Sequence, residues 1–326
     1  MLPIRAIAYT VCICGLLATA LAGSGALVTR ASRDAAARAT KVTIEAHAGA
    51  ARQGGVEAVR AQVARELELA TLLVERTSFQ ERRVSLGAPD RVAVGQARIT
   101  LSASQRLFDD GLFEAAGRRA TEASALASNA QAGVHQVTSR YNDPTRIAEW
   151  QRWVQETRDW SRQQARPAIV VSKAAHRVTL YDGGRVVRTY YGDLGVNWAA
   201  DKRRAGDGAT PEGRYKVIEV KTMSSAYHKA LLVDYPNERD RGAFAEAMRT
   251  GQLPPSARVG GQIEIHGEGG SGEDWTDGCI ALANVDMDDL IRRVEVGTPV
   301  TIVGATDFGE MAGRLTGPAP IGGVAD

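Results

Sequence analysis

Between about residues 31 and 164 apolar side chains return every three to four positions, as in Val56, Val59, Val63, Leu67 and Leu69, then in Leu107, Phe108, Leu112 and Phe113. That spacing predicts amphipathic helices. The stretch QRLFDDGLFEAAGRRATEASALA predicts two helices meeting at a short turn around Gly111, and NDPTRIAEWQRWVQETRDWSRQQA predicts a helix capped by Asp143 with Pro144 at its first position. Trp150, Trp153, Val154, Thr157 and Trp160 then form one stripe. Its plain reading is a packing face, with a ligand or glycan platform as the alternative.

The pattern changes at Arg166-Pro167. AIVVSKAAHRVTLYDGGRVVRTYYGDLG alternates apolar and polar residues about Asp182-Gly183-Gly184, which predicts a β-hairpin. Further strands are predicted at GRYKVIEV, KALLVDY, QIEIHG and TPVTIVG, with one helical piece, VDMDDLIRRV, before the last. From about Ala305 the Gly, Pro and Ala content predicts a disordered tail. The expected class is α+β: a leader over residues 1–30, a helical region over 31–165, a mostly β domain over 166–304 and a tail over 305–326.

Composition narrows the function. A chain of 326 residues, 44% apolar and 24% charged, has material for a sizeable core. A formal charge of +2, with no basic run interleaved with aromatic residues, excludes a nucleic-acid groove. The start, MLPIRAIAYTVCICGLLATALAGSG, has Arg5, then an apolar run, then Ala20 and Ala22 placed as in a signal peptidase site. Because the run continues through Leu27 and Val28, an uncleaved inner-membrane anchor is the competing reading. Neither Cys12 nor Cys14 follows the small residues of a lipoprotein site. Export to the periplasm or cell wall is expected, and removal of the leader would leave Cys279 as the sole thiol. An odd thiol in an exported protein has no internal disulfide partner and reads as reactive.

A cysteine attacks as thiolate, so it needs a base nearby and donors for the oxyanion. His266 ends the apolar strand QIEIHG 13 residues before Cys279, and the loop EGGSGEDWTD between them would return the chain to the strand end. Gly278 would let a carbonyl approach the amides of Gly278 and Cys279. Asp277 would orient His266 or cap a turn. His228 would line a substrate groove or sit at the surface, and His47, His135 and His176 read as structural. The basic cluster DKRRAGDG, with Lys221, Lys229 and Arg214, would attract carboxylates or form a solvated face. GDGATPEG lacks the lysine of a phosphate loop and reads as a turn. A zinc site from His266, Cys279, Glu268 and Asp274 falls short of usual ligand spacing, and a papain-like protease has its cysteine before its histidine.

The run IEIHG, then TDGCIAL, with GDGATPEGRY upstream and VGTPVTIV at the close, resembles the L,D-transpeptidase catalytic domain, the YkuD-like fold of bacterial cell-wall enzymes, over about residues 166 to 304. The resemblance implies that Cys279 is the nucleophile and His266 its base, with Thr276, Asp277, Gly278 and Gly267 as motif support. Tyr227, His228, Trp275 and Arg214 are the expected substrate-binding residues. It implies acyl transfer from peptidoglycan stem peptides at the third-position diamino acid, with no metal and no cofactor. Asp277 and Ile280-Ala281-Leu282 depart from the pattern of many members, as does the short loop from His266 to Cys279, and with YHKALLVDYPNERDR they look like a divergent branch that includes cell-wall amidases. Hydrolysis of the same thioester by an amidase or L,D-carboxypeptidase, and a silent wall-binding module, are the alternatives.

Overall fold

The structure, a computed structural model, describes residues 55–316 except 85, 224 and 225. The expected leader therefore lies outside the described residues. Among those described, no helix is long and apolar enough to cross a membrane.

Among the described residues three long helices come first: α1 (Gly55–Glu81), α2 (Ala88–Asp109) and α3 (Phe113–Thr138). The seam that holds them is read from α3, where Ala116, Ala120, Ala123, Ala127 and Ala130 are all buried. That run alternates steps of four and three, which puts a stripe of small side chains on one face and lets neighbouring helices approach closely. On α1 the facing residues are Val59, Val63, Leu67, Ala70 and Val74, whereas Val56 and Leu69, expected in the same stripe, are 70% and 66% exposed. Leu69 stands two positions past Leu67, about 200° around a helix, and so points away. The turn at Gly111 forms as the sequence predicts, with a φ of +78° that a side chain would disfavour.

A 3₁₀ turn (Ser139–Asn142) leads to α4 (Pro144–Gln164), capped by the Asp143 carboxylate accepting from the amides of Thr145 and Arg146. The tryptophan stripe packs inward. Trp150 and Trp153 are buried, and Thr157 Oγ1 meets Thr301 Oγ1 at 2.6 Å on the barrel. A Cβ at Gly304 would run into the Trp150 ring, so that glycine permits the close approach of α4.

The second half is an eight-stranded closed barrel: β1 (Ala168–Ser172), β2 (Arg177–Asp182), β3 (Arg185–Asp193), β4 (Gly213–Lys221), β5 (Ala230–Val233), β6 (Glu264–His266), β7 (Ile280–Leu282) and β8 (Pro299–Val303). The order around it is β1-β2-β3-β7-β6-β5-β4-β8, closing from β8 back to β1. Only β6–β7 and β8–β1 pair in parallel. Three helices decorate it: α5 (Glu238–Arg249), α6 (Asn284–Ile291) and α7 (Phe308–Thr316). The last is a correction. Residues 308–316, expected within a disordered tail, form a helix because Met311 is buried against the core and Leu315 packs beside it.

One buried charge cluster ties the helical half to the barrel. Lys173, fully buried, donates to Glu212 at 2.8 Å and to the carbonyls of Ala200 and Thr210, while Arg140 grips the same carboxylate through two bonds of 2.7 Å. Burial alone would raise the Glu212 pKa, but the two cations outweigh it and hold the carboxyl below its ordinary value. Asp201 alongside is pushed up to about 6, by burial first and the Glu212 charge second. Arg140→Ala is expected to cost about 3 kcal/mol, since a buried pair broken from one side leaves desolvated charge behind. Arg166→Ala, which breaks the exposed pair with Glu295, is expected to cost about 1 kcal/mol or less. Urea unfolding of both variants checks the difference.

Candidate active site

Register decides which side chains meet. Ile265 pairs with Ile280 and His266 with Ala281 across the parallel β6–β7 ladder. Ile263, Ile265, Ile280 and Leu282 all enter the barrel core. Strand alternation therefore turns Glu264, His266, Cys279 and Ala281 to the outer face together. His266 and Cys279 are two positions out of register on neighbouring strands, about 8 Å between Cα atoms from standard sheet spacings, near enough for an imidazole and a thiol on one face to approach.

His266 has no exposed surface. Tyr227 stacks on it at 3.8 Å between ring centroids, and Trp275, 40% exposed, stands edge-on at 5.8 Å. Its Nδ1 lies 2.7 Å from the Gly267 carbonyl. A carbonyl only accepts, so Nδ1 carries the proton and Nε2 presents a lone pair. Burial lowers the His266 pKa below its ordinary value, the Gly267 bond opposing. Gln262 and Glu268 bracket this short strand with φ values of +59° and +66°, a left-handed bend that non-glycine residues adopt at a cost.

Cys279 is half-buried, and its thiol donates to the Gln262 carbonyl at 3.6 Å. Burial pushes the thiol above its ordinary value, the Glu264 backbone favours the thiolate, and the Glu264 carboxylate disfavours it. Gly278 has a φ of +130°, and a Cβ there would lie 2.5 Å from the Ala209 carbonyl oxygen, so glycine is required. Thr276 Oγ1 accepts from Gly278 N–H at 3.1 Å and donates to the Cys279 carbonyl at 2.8 Å. This alters the expectation for the oxyanion: the Gly278 amide is engaged by the turn, and the Cys279 amide is the one the turn does not use.

The loop from His266 to Cys279 is tethered along its length. Asp193, fully buried, accepts from Ser271 N–H, Ser271 Oγ and Gly272 N–H at 2.8–3.0 Å. Asp274 accepts from Leu194 N–H at 2.8 Å and faces buried His176 at 3.0 Å, with Arg314 of α7 joining the pair. Thr276 bridges to Leu194 and Val196 through backbone bonds. Asp274 is thus committed away from the zinc set considered above, and the described residues contain no group of three or more His, Cys, Asp or Glu that could hold a metal.

The other expected site residues divide. Tyr227 and Trp275 join the group around His266. Gly267 is there too, where a Cβ would come within 2.8 Å of His228 Cβ. His228 turns its ring to Asp288 at 2.7 Å, an acid that also takes Lys229. Arg214 is not brought to this group: it lies on β4 opposite Thr301 and pairs with Glu156 of α4 at 2.5 Å. The opposite charge on the packed helix claims it. Asp277 is exposed, and it is the Gly267 carbonyl that orients His266. The basic cluster disperses, with Lys202 bonded to Asp207 and to the Ala209 and Asp277 carbonyls, and Arg203 to Gln252. Sequence reasoning missed the Lys221–Glu264 pair, 2.7 Å long, although Glu264 stands two residues before His266 in a predicted strand and so shares its face.

Residues 166–302 match the YkuD family model, the L,D-transpeptidase catalytic domain. The match spans the barrel, less than half of the chain. Solved structures similar to the chain include an L,D-transpeptidase from Mycobacterium smegmatis at 18% identity and a TM-score of 0.27, covering 42% of this chain and 58% of that one. L,D-transpeptidase 1 from Mycobacterium tuberculosis is 20% identical with a TM-score of 0.26, covering 43% and 62%. An L,D-transpeptidase from Xylanimonas cellulosilytica is 17% identical with a TM-score of 0.28, covering 42% and 60%. The chain spans about three-fifths of the length of these structures. No curated protein matches it.

The site's electrostatics give a chemical expectation. A thiol raised by burial is mostly protonated at pH 8, so iodoacetamide should alkylate Cys279 more slowly there than it alkylates free cysteine, and the rate should still be climbing above pH 9. Rates measured by mass spectrometry from pH 6 to 10 check this.

Proposed function

We propose that the chain is an exported peptidoglycan L,D-transpeptidase in which Cys279 is the nucleophile and His266 the general base. The observation that carries the reading is the proton of His266: Nδ1–H is spent on the Gly267 carbonyl, so Nε2 is the basic nitrogen, and the imidazole shares the outer face of the β6–β7 ladder with the thiol.

The resting pair is neutral, because burial lowers the histidine and raises the cysteine. Deprotonation of the thiol therefore accompanies attack. Sγ bonds to the carbonyl carbon of the third, diamino acid residue of a stem peptide as its proton passes to Nε2, and the Cys279 amide donates to the oxyanion. Collapse breaks the bond to the terminal D-alanine, whose amine takes the proton back from Nε2. The thioester is then attacked by an amine of a neighbouring stem, which loses its proton to Nε2 as Sγ leaves and is reprotonated. Water in place of that amine would give hydrolysis by the same steps.

The test is incubation of the protein with tetrapeptide muropeptides, followed by mass spectrometry, beside Cys279→Ala. Dimers joined between two diamino acids, absent with the variant, are expected. Loss of D-alanine without dimers would make the chain a hydrolase, and no Cys279-dependent change would leave a wall-binding module. The pH profile has a sign as well. A base whose pKa lies below 6.5 stays neutral there, so kcat/KM should hold at pH 6.5 and fall only at lower pH, while the alkaline limb should lie above pH 9, where the raised thiol titrates. His266→Gln should lower kcat/KM by about 10²-fold or more.

A further inference from the structure

The connection between α1 and α2 faces the barrel across a cleft of about 570 Å³, within the size range of small-ligand sites. Its lining includes Arg82 and Arg83 from that connection, Arg91 from the start of α2, Arg314 from α7, and Glu273 and Asp274 from the loop that ends at Cys279. The geometry points to this cleft as a subsite for the carboxylates of a peptidoglycan stem lying alongside the one that Cys279 attacks, a conclusion that rests on the function proposed above.

The charges in the cleft are unequally committed. Asp274 accepts from Leu194 and faces His176 and Arg314, so its carboxylate is occupied within the fold. Arg91 donates to the Leu86 carbonyl, which aims the guanidinium without neutralising it. Arg82 is exposed beside it. The Arg83 guanidinium lies 4.7 Å over the Phe79 ring, and its pKa is lowered by burial first and then by the charge of Arg314, with Tyr191 opposing and Arg82 adding a smaller push, so like charges crowd one another there. A carboxylate relieves that crowding, and guanidinium forks match its two oxygens. Glu81 and Glu273 on the same lining disfavour a dense polyanion and suit a ligand that carries separate carboxylates and an ammonium, as a diamino acid stem does.

The cleft is also joined to the chemistry. Asp274 immediately precedes Trp275, whose ring stands edge-on to His266, and Val196, another lining residue, donates to the Thr276 carbonyl. Asp274 lies five positions before Cys279, at most about 18 Å of chain, and an extended tetrapeptide spans about 13 Å. A stem held by its carboxylates in the cleft can present its amine toward the thioester.

Binding is measured with the full chain carrying Cys279→Ala, so that it does not depend on turnover. Calorimetry compares a tetrapeptide muropeptide with the same molecule amidated at its carboxylates, in that background and with Arg82→Gln and Arg91→Gln added. The added pair should weaken binding of the acid about tenfold and leave binding of the amide unchanged. Arg82→Gln alone, at an exposed side chain, should give part of the loss and guards against a folding defect from Arg91. Equal affinity for the acid with and without the arginines would overturn the proposal, as would an equal loss for acid and amide. A selective loss in a protein that shows no Cys279-dependent chemistry would keep the subsite and remove the transpeptidase reading.

Discussion

The parallel pairing of β6 with β7 is the constraint on which the site depends. It turns four isoleucine and leucine side chains into the barrel, and by alternation it sets His266 and Cys279 on the opposite face. A slip of one residue in β7 would bury the thiol in the core and expose Ile280 and Leu282. The energy that holds the geometry of the candidate site is therefore the ordinary burial of apolar strand residues, and the polar groups need only finish the orientation.

That finishing is done from several directions at once. The Gly267 carbonyl selects the tautomer of His266, Thr276 shapes the turn before Cys279, and Asp193 and Asp274 pin the loop between them. Arg314 adds a contact from the last described helix, and Lys202 reaches the Asp277 carbonyl from the opposite loop. The helical half enters the same frame through Arg140, whose partner Glu212 lies in the connection leading to β4. Because these contacts, the exposed Lys202 bond excepted, are buried or half-buried, each is worth more than an exposed pair would be.

Much of this was legible in the chain. The helix beginning at Asp143-Pro144, the hairpin at Gly183-Gly184 and the strand ending at His266 all rest on local signals, and the structure has them where the residues put them. The closed barrel was not legible, because its order is set by pairings far apart in sequence, such as β1 with β8. The helix over Phe308–Thr316 was hidden by small residues and glycines that read as a tail, although Phe308, Met311 and Leu315 repeat at helical spacing. The Asn237 capping box that starts α5 was equally local and was overlooked because the segment read as part of a motif. Arg214 was drawn to the site by its charge alone, and charge does not say which helix will neutralise it.

Closure of the barrel through β8 sets the order in which the molecule can be completed. Ile169 and Val300 are register partners 131 residues apart, and β8 also pairs with β4. A chain emerging from its N-terminus carries both His266 and Cys279 before the strand that seals the sheet exists. Until then β1 and β4 present open edges, the condition in which strands pair with the wrong chain. Completion waits for long-range contacts, which form slowly. The helical half, built from near neighbours, can fold first, with α4 ready to receive the sheet as it arrives.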